Sequence, residues 1–251
     1  MTGLVPIGLV AAFFVTALLY AAVGFGGGST YSALLALSGM DYRLLPVLSL
    51  ACNIVVVAGG SLRFARAKVT PWKGALLLTG LAAPAAFLGG LTPIDQATFL
   101  LLLGASLLLT GLTMLLPVSS ESEGQPHCLA SVVPFVAAPL GYLAGLVGIG
   151  GGIFLAPLLH LTRWHNARAI AATASLFILV NSLFGLAGQL FKNGPGLLGG
   201  AVYGGLALLI AVAVGGQIGS LMAVRFLPLK LIRWMTAALV IWVGGRLLLG
   251  S

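Results

Sequence analysis

Two glycine clusters interrupt apolar sequence in this chain. One is Gly24-Phe25-Gly26-Gly27-Gly28-Ser29-Thr30 and the other is Gly148-Ile149-Gly150-Gly151-Gly152-Ile153-Phe154. Each lies between one long and one short apolar run. Glycine costs a helix about 1 kcal/mol relative to alanine, and backbone groups left unpaired in hydrocarbon cost several kcal/mol each. A helix starting near Gly28 or Gly152 would present its first unpaired N–H groups and the positive end of its dipole, a combination suited to an anion. Because glycine lets a ligand approach the backbone, Gly24, Gly26, Gly27 and Gly28 are candidate binding residues, with Gly148, Gly150, Gly151 and Gly152. Ser29 and Thr30 add hydroxyl donors to the first break, whereas Ile153 and Phe154 add none to the second. The site is therefore expected to be lopsided. The bland use of such glycines is close helix packing, open to many of the 36 glycines here. Two copies at matching places, each followed by a short apolar run, favour a binding role.

The elements that position these breaks follow from composition. The 251 residues are 60% hydrophobic and 6% charged, with a mean hydropathy of +1.15, too little polar surface for a soluble domain. The chain reads as an all-α polytopic membrane protein with the lipid bilayer as its main partner. The net charge of +8 does not point to nucleic acid, because Lys and Arg lie in short clusters between apolar runs, as in loops at a membrane surface. Cys52 and Cys128 have no metal-site spacing and form no disulfide framework; no metal or cofactor is expected. Residues 4–23 lack a basic leader region and are expected to be kept as a helix.

Apolar runs cover 4–23, 29–39, 44–62, 74–91 and 97–116, and then 129–147, 153–161, 169–190, 197–222 and 231–249. Between the sets lies 117–128, PVSSESEGQPHC, which reads as a linker. The predicted organisation is a first repeat at 1–116, the linker, and a second repeat at 129–251. The offset between repeats is 124 at the glycine breaks and 126 if Ser49 is aligned with Ser175. If each break folds its two runs into a hairpin, each repeat has an odd number of further crossings and the second is inverted. The loops at 63–73, 162–168 and 223–233 then share a side with the linker. That side holds Arg63, Arg66, Lys68, Lys73, Arg163, Arg168, Arg225, Lys230 and Arg233, leaving Arg43, Lys192 and Arg246 opposite. Parallel halves would divide these charges evenly. The positive-inside rule favours two inverted-topology repeats of about five segments each, each opened by a glycine-broken hairpin, with a cytoplasmic linker and both termini outside.

All four acids, Asp41, Asp95, Glu121 and Glu123, fall in loops, so no carboxylate is expected at mid-membrane to hold a cation or a coupling proton. A small anion fits better. Further candidate donors are Ser49 and Asn53 in the third run, with Thr173, Ser175, Asn181 and Ser182 in its counterpart. Ser49, Cys52 and Asn53 share a helix face. Hydrogen bonding between helices is the competing use of such residues. His160 and His165 flank Arg163 and read as interfacial anchors, Gln189 and Gln217 as packing residues, and Trp72, Trp164, Trp234 and Trp242 as an aromatic belt. No enzyme motif is found: neither G-x-S-x-G nor H-E-x-x-H occurs.

The paired breaks, LACNIVVVAGGSLRFARAKV at 50–69 and AATASLFILVNSLFGLAGQL at 171–190 together resemble the TauE/SafE family, also called the sulfite exporter or TSUP family, over about residues 10–248. The resemblance implies a bacterial inner-membrane transporter of sulfite, sulfonates or related sulfur-containing or organic acid anions. The positions it carries over are Gly24, Gly26, Gly27, Gly28, Ser49 and Asn53, then Gly148, Gly150, Gly151, Gly152, Thr173, Ser175 and Asn181. A secondary carrier working by alternating access is the leading expectation, an anion channel using the same helix ends is the alternative, and a homo-oligomer is compatible with either.

Overall fold

The computed structural model describes residues 6–115, 132–222 and 229–249. Within them the chain forms α1 (Ile7–Val23), α2 (Gly28–Leu37), α3 (Leu44–Arg66), α4 (Trp72–Leu91), α5 (Gln96–Leu115), α6 (Val133–Val147), α7 (Gly152–Leu161), α8 (Ala167–Asn193), α9 (Pro195–Met222) and α10 (Leu229–Leu249), with no strand among the described residues. The linker at 117–128, with Glu121, Glu123 and Cys128, and also Arg225, lies outside them. The helices match the ten apolar runs, and α3, α4, α5 and α8 are each long and apolar enough to cross a membrane. Leucines such as Leu76, Leu77, Leu101 and Leu112 face outward, the arrangement lipid requires and water does not.

Two helix starts show ordinary polar capping. Asn166 accepts from Ala169 N at 2.9 Å at the start of α8. Before α5, Asp95 accepts from Thr98 Oγ1 at 2.6 Å and from Thr98 N at 3.2 Å, and these bonds hold its carboxyl below the usual range.

Each short helix folds back on the helix before it. Tyr31 of α2 stacks on Phe13 of α1 with ring centroids 4.8 Å apart. A straight helix would separate these residues, 18 positions apart, by roughly 27 Å, so the first break is a hairpin. The second repeats this packing: Gly27 sits against Thr16, and Gly151, 124 positions on, sits against Leu140. The chain reverses at left-handed glycines, Gly24 and Gly27 at φ 84° and 83°, Gly148 and Gly151 at φ 80° and 76°.

Helices that correspond between the halves run antiparallel. Along the α3–α8 contact, Leu50 meets Gly185, Ser61 meets Ser175, and Phe64 and Ala171 both meet Gly24, so one sequence rises as the other falls. The α5–α10 contact does the same, with Gly104 on Leu248 and Gly111 on Ile241. Packing partners also exchange: α1 lies along α9 as α6 lies along α4. This is the relation two inverted repeats would have. It puts the C-termini of α3, α5, α7 and α9 at one end of the bundle and those of α4, α8 and α10 at the other.

The helices approach closely because glycines face backbone. Gly141 and Gly145 of α6 lie on Ala82 and Ala86 of α4, and Gly188 of α8 lies on Phe87 and Gly90. Replacing Gly145 by leucine is expected to cost about 3 kcal/mol or more, because the obstacle is backbone that cannot move aside. Gly80→Leu, where a methyl group would meet nothing within 4 Å, is expected to be neutral. Melting of the detergent-purified variants checks this, and equal losses would contradict the packing.

Candidate functional site

The two breaks meet at the crossing of α3 and α8. Asn53 of α3 and Ile178 of α8 stand together there, and both touch Gly26 of the first break and Gly150 of the second. Asn53 also lies against Gly28, the first residue of α2, as Ile178 lies against Gly152, the first residue of α7. The outer glycines cross over: Gly24 packs on Ala171 of α8, and Gly148 on Pro46 of α3. These matched contacts put the offset in α3 and α8 at 125, where aligning Ser49 with Ser175 suggests 126. The structural counterpart of Asn53 is therefore Ile178 rather than Asn181, and that of Ser49 is Ala174, whose carbonyl faces Gly152.

Neither short helix has a side-chain cap. In α2 the first backbone bond runs from Tyr31 N to Gly27 O at 3.0 Å, so the N–H groups of Gly28, Ser29 and Thr30 precede the helical ladder. Asn53 Nδ2 donates to Ile149 O of the second break at 3.2 Å, and Ser49 Oγ donates to Gly28 O at 2.7 Å. Thr30 Oγ1 pairs with Tyr20 OH at 2.8 Å. A small cavity lies here, lined by Tyr20, Phe25 and Gly26 to Ser29 on one side and by Ile149, Ile153 and Ile178 on the other.

Several buried polar atoms around the crossing have no hydrogen-bond partner: Ser29 Oγ, Asn53 Oδ1, Ser182 Oγ and both side-chain atoms of Asn181. Burying such a group unpaired costs about 1–3 kcal/mol. Ser182 Oγ faces Gly150. The described acids, Asp41 and Asp95, are both exposed, so the buried donors face no competing carboxylate among the described residues.

Not every expected residue converges. Thr173 donates to Ala169 O of its own helix at 2.8 Å, and Ser175 pairs with Ser61 at 2.9 Å on the α3–α8 contact. Their hydroxyls are taken up away from the breaks. Ser49 shapes the first break from behind. Tyr20 and Ile178 were not singled out by sequence reasoning; the 125-residue step from Asn53 to Ile178 was the available signal for the latter. Among the tryptophans, Trp72, Trp234 and Trp242 are exposed, while Trp164 packs against Gly74. Gln189 is buried and donates to Gly145 O at 3.0 Å, a packing role.

A family model described as "Sulfite exporter TauE/SafE" matches residues 9–247, nearly the whole chain and both breaks. The chain belongs to the TauE/SafE family. It is 33% identical to a probable membrane transporter protein of Sinorhizobium fredii, over 96% of this chain and 98% of the relative. A probable membrane transporter protein of Methanocaldococcus jannaschii is 25% identical, over 80% and 78% of the two chains. One of Bacillus subtilis is 22% identical, over 90% and 91%. No solved structure matches the chain. The protein is a membrane transporter of this family, and the glycine breaks common to both halves lie inside the matched region.

Asn53→Ala is expected to destabilise by about 1–3 kcal/mol, because it strips a buried carbonyl of its donor, and Ser49→Ala by about 1 kcal/mol. Melting temperatures of the two variants check this. Unchanged values for both would show that these bonds do not hold the breaks.

Proposed function

We propose that this TauE/SafE protein is a secondary carrier of a small oxyanion or sulfonate, bound at mid-membrane where the N-termini of α2 and α7 meet. The observation that carries the reading is the meeting of two uncapped helix N-termini at the crossing of Asn53 and Ile178, beside the unpartnered buried hydroxyls of Ser29 and Ser182. Both dipoles put their positive ends there, and a dry surrounding strengthens their pull on negative charge. In this conformation Ile149 O accepts the hydrogen bond that Asn53 Nδ2 donates and lies beside Gly28. An oxyanion is the stronger acceptor and would compete for that donor, with Ser29 Oγ and the first N–H groups of α2 completing its shell. The second break offers Gly150 to Gly152 with Asn181 and Ser182. The first break binds more directly, since Ile153 and Ile178 stand where Ser29 has a hydroxyl and Asn53 an amide.

The family description supports sulfite or a related sulfur-containing or organic acid anion as cargo. Alternating access is supported by the antiparallel correspondence of the halves, which lets one arrangement be exchanged for its mirror in depth about a fixed site. The small, isoleucine-lined cavity suits an occluded carrier more than an open channel. The distribution of basic residues supports an inner membrane with the linker in the cytoplasm and both termini outside.

Reconstituted protein is expected to show saturable, trans-stimulated uptake of labelled sulfite, a sulfonate, thiosulfate or a small carboxylate. Gly27→Val and Gly151→Val are expected to abolish it while protein still inserts, since each requires a left-handed backbone and meets packed atoms. Unchanged flux in both would overturn the site, and non-saturating flux without trans-stimulation would replace the carrier by a channel. A C-terminal reporter active only in the cytoplasm would reverse the topology.

A further inference from the structure

Two basic side chains differ from the rest. Of the nine described basic side chains, seven are exposed, and only Arg63 and Lys192 are half-buried. Each stands in the last turn of one of the two crossing helices, Arg63 on α3 and Lys192 on α8. Because α3 and α8 are antiparallel, the two cations lie at opposite ends of the bundle. Each is turned onto the end of the helix that corresponds to the other's neighbour. Arg63 donates to Ser220 Oγ and Gln217 Oε1 of α9, and Lys192 donates to Thr92 O, just past α4, at 3.2 Å.

The acceptors of both are neutral, so neither cation is paired with a carboxylate among the described residues. Of the described acids, Asp41 accepts from Arg43 N and Asp95 from Thr98. Both cations are also joined to the breaks. Phe64, the residue after Arg63, closes on Gly24. Gln189, one turn before Lys192, donates to Gly145 O and Leu146 O, just before Gly148. A half-buried cation with no carboxylate partner among the described residues carries a desolvation cost, which an anion passing beside it would offset.

We propose that Arg63 and Lys192 are the two mouth residues of the anion path, each drawing a small oxyanion toward the central site from its own face of the membrane. The inference rests on the transport reading above. A competing role is a helix clamp, in which the same side chains only tie α3 to α9 and α8 to the end of α4.

Charge sign separates the two. Arg63→Cys and Lys192→Cys, each made in a Cys128→Ser background, are reconstituted with fixed orientation and assayed with sulfite, thiosulfate, methanesulfonate and acetate. Each variant is expected to lower Vmax/KM for the transported anion about tenfold in both directions, the size of effect that losing a steering charge produces. Attaching a positively charged aminoethyl group should restore flux, and attaching a negatively charged sulfonatoethyl group should depress it further. At position 63 the reagents should act only from the linker face, and at position 192 only from the opposite face. Arg63→Lys should stay within about twofold of the parent. A melting temperature that falls with no dependence on the sign of the attached group, or reaction of both positions from one face, would overturn the inference while leaving the carrier intact. A parent protein that moves none of the four anions would defeat the transport reading and this inference with it.

Discussion

The structure depends on one crossing, where Asn53 of α3 and Ile178 of α8 stand between two broken hairpins. Gly26, Gly28, Gly150 and Gly152 have no side chains, and a methyl group at any of them would collide with that pair. The absence of side chains lets the breaks close on the crossing, and the closure brings the two helix N-termini together. The cost of breaking a helix in hydrocarbon is met partly by internal bonds, Asn53 to Ile149 O and Ser49 to Gly28 O. Among the buried groups they leave unmet are the donors Ser29 Oγ, Ser182 Oγ and Asn181 Nδ2, and the proposed anion is the partner that would satisfy such donors.

Two-fold exchange governs the backbone but not the chemistry. Gly24 on Ala171 answers Gly148 on Pro46, and Gly27 on Thr16 answers Gly151 on Leu140. Yet the polar positions Ser29, Ser49 and Asn53 are matched by Ile153, Ala174 and Ile178. In the proposed carrier, a scaffold whose halves correspond would allow both access states with similar packing, and a lopsided donor set would let one half hold the ligand while the other moves against it. Arg63 and Lys192 repeat the theme at the two ends, with similar placement and different cations.

Much of this was legible in the sequence. Apolar runs located every helix to within a few residues, because glycine, proline and charge punctuate a membrane chain sharply. The hairpin premise and the antiparallel halves followed from charge counting, since loop charge reports sidedness. Less legible was the register between α3 and α8. Aligning like residues, Ser49 with Ser175, misplaced it by one, because the contacts equate positions by their distance from the breaks and not by chemistry. For the same reason Thr173 and Ser175 looked like site residues although their hydroxyls are bonded elsewhere. The pairing of Tyr20 with Thr30 arises from a hairpin closure whose angle no local pattern encodes.

The central claim, one anion held between the starts of α2 and α7, is tested most directly by crystals grown with selenite, a heavier relative of sulfite, and read by anomalous scattering. The account predicts a single peak at the crossing, with selenium about 4 Å from Ser29 Oγ, the Asn53 amide and the first N–H groups of α2, one Se–O bond beyond hydrogen-bond distance. Selenite bound elsewhere, with the two helix starts still closed on the crossing of Asn53 and Ile178, would contradict it.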